Sequence, residues 1–361
     1  MEDEIVKEEI IIMTLLQELI YARGPCGQED EVRVICEREL RKFCDSVWFD
    51  EAGNVIGHML ARHQTKDNSG EVSSIRVMAH MDELGMIVKR VESNGTLRVN
   101  NLGGLKPGIL GQGPVDILAD NLVLPGVLSL GPQHSSRETL RVDETKNKAM
   151  DWTHVHIFTN RSADELKELG VHAGTRVVIS QERRKLFSFG DCIGGYFMDD
   201  RAAITISLMA ASMLKLKENR SYRDIYFVMT TEEERDGIGA AYASRKLPGD
   251  ITIAIEIGPI SDEYGTEFRN DPIVGYGDSR GLYTKHLADK LVNVARSIGL
   301  NPQTAVWESF CSDASVSKSY GQAASIALIS IPTLNTHGFE IIPRGGIQAC
   351  AKLLTAFLQE P

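Results

Sequence analysis

The chain is poor in several things that would direct its reading elsewhere. Its six cysteines, at 26, 36, 44, 192, 311 and 350, form no CxxC pair and no zinc-finger spacing. They read as reduced thiols of a cytosolic protein. No apolar run approaches the ~20 residues that span a bilayer. The run at 10–16 follows an acidic N-terminus and is too short and wrongly flanked for a signal peptide. Positive charge is in deficit: 39 Lys and Arg stand against 50 Asp and Glu, a net charge of −11. That balance argues against nucleic acid or an anionic membrane surface as a partner. The expectation is a soluble, cytoplasmic protein.

What remains is ordinary globular material, 42% hydrophobic and 25% charged. At 361 residues the chain is too long for one ordinary core, so two domains are expected. Apolar periodicity predicts helices over 8–23 and 29–43, the first stopped by Gly24 and Pro25. Gly53-Asn54 marks a turn between two strands, and 75–79 is a strand ending at His80. From 87 to 179 the pattern changes to short alternating runs broken by Gly and Pro, with one helical segment at 162–169. After Asp191 strands and helices alternate again. Helices are predicted over 202–216, 239–245, 285–298 and 346–358, with strands over 225–229, 251–257 and 324–329. Alternating strands and helices imply an α/β fold, here with an inserted β-rich domain. The expected division is 1–85 and 183–361 for the main domain and 86–182 for the insertion.

Two strings concentrate the chemistry: HMDELG at His80–Gly85 and TTEEERDGIG at Thr230–Gly239. Residues i and i+2 of a strand share a face, so His80 and Asp82 project together. Glu232, Glu233 and Glu234 follow another strand, and adjacent acids repel unless a cation holds them. MDDR supplies Asp199 and Asp200 ahead of an apolar helix. Glu256 lies inside the apolar strand ITIAIEIG, and His337 follows SIPTL. Each has a bland alternative: a hydrogen-bonded histidine, an acidic helix cap, a solvated charge run, an acid paired with Arg or Lys, a loop histidine. Strand ends of α/β sheets are where ligands bind, and these strings sit at such ends.

The ordered series His-x-Asp, Asp-Asp, Glu-Glu, strand acid, late His resembles the co-catalytic metallopeptidases, and more narrowly the M42 aminopeptidases. GPCGQEDEVR, DEAGNVIG, AHMDELGMIVKRV, NLGGLKPG, LPGVLSLGPQH, ELGVHAGTRVV, MDDR, EEERDGIGA, CSDA and NTHGFE extend the likeness over nearly the whole chain. The resemblance implies a mixed-sheet di-metal peptidase domain, phosphorylase/hydrolase-like, interrupted by a β-barrel-like dimerisation domain. It implies two divalent ions, zinc or cobalt with manganese also suited. His80, Asp199 and Glu256 would hold one, and Asp199, Glu234 and His337 the other. Asp82 would orient His80, Glu233 would be the general base, and the Asp199-Asp200 peptide would be cis. The implied activity is removal of N-terminal residues from short peptides, by a homo-oligomer built of dimers or a dodecamer.

Departures from that pattern motivate alternatives. Glu256 stands where these aminopeptidases usually have Asp, and Arg235-Asp236 replaces a small apolar residue and Gly. Ser312-Asp313 and His337-Gly338 are milder changes. Glu256 and Arg235 leave a carboxypeptidase-like or N-acyl amino acid deacylase activity on the same scaffold as a second reading, with Arg235 pairing either a substrate carboxylate or a nearby acid. A metal-binding assembly protein without catalysis is the third, and the retained Glu233 argues against it.

Overall fold

The computed structural model describes residues 2–62, 74–131, 150–216 and 219–361. The last three residues of the LPGVLSLGPQH string, 132–134, lie outside them. Helices α1 (Glu2–Tyr21) and α2 (Asp30–Leu40) precede strands β1 (Ser46–Phe49), β2 (Val55–Met59) and β3 (Ser74–His80). Next come β4 (Gly85–Val91), β5 (Leu97–Leu102), α3 (Pro107–Leu110), β6 (Gly113–Leu118), β7 (Val123–Ser129), β8 (His156–Phe158), α4 (Ala163–Glu168) and β9 (Arg176–Ile179). The chain continues through β10 (Phe187–Phe189), β11 (Cys192–Tyr196), α5 (Met198–Met213), β12 (Asp224–Thr230), α6 (Ile238–Lys246), β13 (Ile251–Pro259), β14 (Ile273–Asp278) and β15 (Gly281–Leu282). It closes with α7 (Lys285–Ser297), β16 (Gln303–Val306), α8 (Asp313–Ser319), β17 (Ser325–Thr333), β18 (Phe339–Pro343) and α9 (Gly346–Gln359).

The main sheet has nine strands in the order β1-β2-β12-β3-β13-β17-β14-β15, with β16 paired to β14. Its centre, β12-β3-β13-β17, is parallel. Every residue of β3 and β12 is buried, as expected when helices cover both faces of a parallel sheet. One face packs against α1, α2, α5, α7 and α9 through Leu16, Val32, Ala203, Leu291 and Leu354. On the other, Ala240 of α6 packs with Met78 and Val228, and Ala314 of α8 with Ala254 and Leu328.

Six strands in the order β4-β5-β8-β7-β6-β9 close a barrel around Val88, Leu97, Ile117, Leu128 and Val177. In β7 the pattern strictly alternates, with Leu124, Gly126 and Leu128 inside and Val123, Pro125 and Val127 outside. The junction between barrel and main sheet is ionic. Glu83, fully buried, accepts from Arg184 at 2.6 Å and from Arg201 of α5 at 2.9 Å.

A third sheet, β10-β11-β18, was not predicted. Its glycine pair Gly194-Gly195 and terminal Pro343 hide it from propensity. Its register sets Gly195 opposite Glu340 and Tyr196 opposite Phe339, which brings the start of α5 beside the segment after β17. The predicted helix at 202–216 begins earlier, at Met198, with Asp199 and Asp200 outside helical geometry. The strand predicted to stop at 329 runs to Thr333, because β13 pairs with it as far as Pro259.

Candidate metal centre

His80 closes β3 and Thr230 closes β12, in direct register. The imidazole is fully buried. Its Nε2 lies 2.9 Å from Asp199 Oδ1, and its Nδ1 lies 3.1 Å from the Asp82 carbonyl and 3.5 Å from Asp82 Oδ1. The backbone of Asp82 is thus the nearer acceptor for Nδ1. The Asp82 carboxylate does something else as well. Its two oxygens accept the main-chain N–H groups of Glu233 at 2.9 Å and Glu234 at 3.0 Å, and the Cys26 thiol donates to it at 3.1 Å. One buried acid therefore fixes the turn that carries both glutamates, a turn bounded by left-handed residues at Glu232 (φ 51°) and Asp236 (φ 77°).

The Asp199-Asp200 peptide is cis. Asp200 Oδ2 accepts from the His80 N–H at 3.1 Å. His337 Nε2 lies 3.6 Å from Asp199 Oδ2 and 3.9 Å from Glu234 Oε1, and Glu233 Oε2 lies 3.9 Å from His80 Nε2. Glu256 is buried in β13, and the charges bearing on it are Asp200, His80, Asp199 and Glu233 rather than an Arg or Lys. Ligand atoms of His80, Asp199, Asp200 and Glu256 lie within 4.8 Å of one another, as do those of Asp199, Glu234 and His337. Asp199 belongs to both groups.

The double glycine after β5 has a reason here. At Gly103 (φ 82°) a Cβ would meet Leu84 at 2.5 Å and Glu234 at 3.1 Å, and at Gly104 it would meet the His337 ring at 2.8 Å. Backbone must come this close to the ligand cluster, and only glycine allows it.

Burial pushes the carboxyls of Glu233, Glu234 and Glu256 well above their usual range, and neighbouring acids push them further. Asp200 is raised for the same reasons. Asp199 and Asp82 go the other way: burial works against their ionisation, yet the hydrogen bonds and charge of His80 hold both below the ordinary value. Two further acids join the cluster. Asp313, pushed up to about 6 by burial, accepts from Thr230, and Glu340, pushed up to about 8 by burial and Asp199, accepts from the main chain of Asp199 and His337. Glu233 Oε1, Glu234 Oε1, Asp200 Oδ1 and Asp313 Oδ1 are buried without a hydrogen-bond partner. Crowded acids with orphaned oxygens are a poor arrangement for protein alone and a fitting one for divalent cations.

Sequence reasoning did not assign roles to Asp200, Asp313, Glu340 or Cys26. Glu340 carried a usable signal: an acid inside the apolar strand FEIIP, as Glu256 is inside ITIAIEIG. Asp313 and Cys26 lie in the CSDA and GPCGQEDEVR strings, but their places against Thr230 and Asp82 are created only by the fold.

Above the cluster opens a cavity of about 490 Å³, lined by Asp199, Glu233, Glu234, Glu256 and His337 and reaching Lys106 and Arg280. Arg235 is exposed and outside this lining, and Asp236 pairs with Arg280 at 3.8 Å. The cations facing the cavity are thus not the one the sequence singled out.

A mixed sheet whose parallel central strands carry His80, the Glu233–Glu234 turn and Glu256 toward such a cavity fits a metal-dependent hydrolase. The model of the M42 glutamyl aminopeptidase family matches residues 57–353, and the chain belongs to that family. It is a metal-dependent aminopeptidase, a hydrolase of peptide bonds. Lysyl aminopeptidase of Pyrococcus furiosus is 24% identical over 361 residues, covering 96% of each chain. An aminopeptidase from the archaeon Desulfurococcus kamchatkensis superposes with a TM-score of 0.86 at 24% identity, over 98% of this chain and 96% of that one. The TET1 peptidase of Pyrococcus horikoshii, which assembles into a tetrahedron or a large octahedral shell, gives 0.84 at 23% identity, over 97% of this chain and 100% of that one. None of these relatives favours the deacylase, carboxypeptidase or non-catalytic readings.

Proposed function

We propose that the chain removes N-terminal residues from short peptides at a two-metal site. His80, Asp199 and Glu256 hold one cation, and Asp199, Glu234 and His337 the other. The grouping of ligand atoms within 4.8 Å around a shared Asp199 supports this assignment. Zinc and cobalt suit the imidazole and carboxylate set, and manganese is compatible. When bound, the cations polarise the scissile carbonyl and acidify the attacking water.

Glu233 is the general base. Its carboxylate lines the cavity beside the ligand cluster, and its Oε1 has no hydrogen-bond partner within the protein. The carboxylate takes a proton from the attacking water as oxygen bonds to the carbonyl carbon. It then delivers that proton to the amine nitrogen as the C–N bond breaks. Asp82 acts through others: it holds the Glu233–Glu234 turn by two main-chain hydrogen bonds and presents its carbonyl to His80.

The division into a catalytic domain of 1–85 and 183–361 and an inserted domain of 86–182 belongs to this reading. So do a homo-oligomeric state through the inserted barrel, a dimer or a dodecamer, and a cytoplasmic location. The assembly of the TET1 relative supports the first, and six free cysteines support the second. Among the described residues no helix is long and apolar enough to cross a membrane.

Glu233→Gln tests the mechanism. It keeps the shape and removes the basic carboxylate, so turnover of an unblocked aminoacyl substrate should fall at least 100-fold while metal content stays that of wild type. Undiminished turnover refutes the role of Glu233.

A further inference from the structure

We infer that Glu340 is the positioning residue of the second metal position: it bolts together the two main-chain segments that present Asp199 and His337. The inference rests on the two-metal reading above. Glu340 is 1% exposed and sits on β18 opposite Gly195 of β11. Its Oε2 accepts from the N–H of Asp199 at 3.1 Å and its Oε1 from the N–H of His337 at 3.0 Å. Those residues are far apart in sequence and come from different elements, one at the start of α5 and one in the segment after β17. Their side chains nonetheless stand 3.6 Å apart, Nε2 to Oδ2. Neither backbone is in a relaxed regular element: His337 has φ 64°, and Asp199 lies outside helical geometry with ψ 99°.

A carboxylate is the side chain this junction requires. Its two oxygens can each receive one of two converging N–H groups, as Oε2 and Oε1 do here. A glutamine offers one acceptor oxygen and turns an NH₂ against the second N–H. The wall beside Glu340 is otherwise largely apolar, with Leu84, Leu105, Leu110, Ile179 and Phe197; its remaining polar side chains are Asp199 and His337 themselves and Tyr196, whose hydroxyl already accepts from Arg183 at 2.8 Å. One amide in Glu340→Gln, and both in Glu340→Ala, would then be left without a partner and free to seek one elsewhere, and the spacing of Asp199 and His337 would be lost. Glu340 touches only main chain in this junction, so it acts through the residues it holds. The first position, with His80 and Glu256 as its other members, is anchored on β3 and β13 and keeps two ligands that Glu340 does not touch.

The test is metal binding rather than turnover. Protein stripped by a chelator is titrated with Co²⁺, followed by calorimetry and by the visible absorption of the bound ion. Wild type should take two equivalents, and His337→Ala should mark which step belongs to the second position. Glu340→Gln should weaken that step about 10- to 100-fold and the other only a few-fold, and Glu340→Ala should weaken it more. Should Glu340→Ala fail to fold, Glu340→Gln carries the test, with its first equivalent as the internal measure of a native site. Two unchanged steps in Glu340→Gln, or equal weakening of both, overturn the inference while the two-metal reading survives. A wild type that takes fewer than two equivalents overturns both.

Discussion

Glu29 shows how far the acidic cluster reaches through single residues. Its side chain is buried, Oε1 accepts from the Gly27 N–H at 2.6 Å, and burial followed by the charge of Asp82 lifts its carboxyl from 4.5 to about 7. A raised folded-state value means the native protein holds this proton more tightly than the unfolded chain. Its contribution to stability is full below pH 4.5 and is lost as pH rises through 7. Glu29→Gln keeps the acceptor for Gly27 and cannot ionise. In metal-free protein, the unfolding free energy of this variant relative to wild type should therefore move in favour of the variant between pH 4.5 and 8, by up to about 3 kcal/mol. A pH-independent difference contradicts the account. The ligand residues were legible in the sequence at this scale because each is an acid or imidazole at the end of, or inside, an apolar strand. Asp200 was legible only as half of a pair, since its main-chain acceptor role depends on where β3 ends. Arg280 was invisible because its turn meets the site only in three dimensions, while Arg235, adjacent in sequence, points elsewhere.

At the scale of elements, the junction between barrel and sheet rests on one buried carboxylate between two buried guanidiniums. Arg184 also donates to the carbonyls of Ile179, Ile20 and Ala22, and Arg201 to those of Leu19 and Met81. Four segments thus converge on Glu83: α1, the link after β3, the exit from β9 and α5. Removing the acid leaves two cations uncompensated in the interior. Glu83→Ala should lose about 3–5 kcal/mol in denaturant unfolding, far more than a surface ion pair such as Lys285–Asp289 contributes. A loss below about 1 kcal/mol contradicts this role. The strongly apolar strands and the long helices could be read from sequence, since burial on both faces leaves continuous hydrophobic runs. β11 and β14 could not, because Gly194, Gly195, Gly275 and Gly277 dilute the pattern that the neighbouring strands enforce.

Over the whole molecule, function follows from where the two bodies meet. The main sheet supplies His80, the Glu233–Glu234 turn and Glu256 from its strand ends. The chain that leaves β5 of the barrel supplies Gly104 and Lys106 to the same cavity and sets Gly103 against Glu234. Cations bound there belong to the folded state alone, so they stabilise it by mass action. Chelation should lower the thermal midpoint, and zinc or cobalt at 100 times its dissociation constant should restore about 2.7 kcal/mol per site. An unmoved midpoint argues that the cluster holds no ion. The double glycine of NLGGLKPG was visible in the sequence, but its purpose was not: it lets backbone reach Glu234 and His337, a contact between residues more than a hundred positions apart.

The most direct measurement is anomalous diffraction from crystals of the protein grown with zinc or cobalt, recorded on both sides of the metal edge. Two peaks per chain are expected beside the Asp199 carboxylate, one against His80 and Glu256 and the other against Glu234 and His337. A single peak, peaks elsewhere, or none at saturating metal would contradict the two-metal assignment.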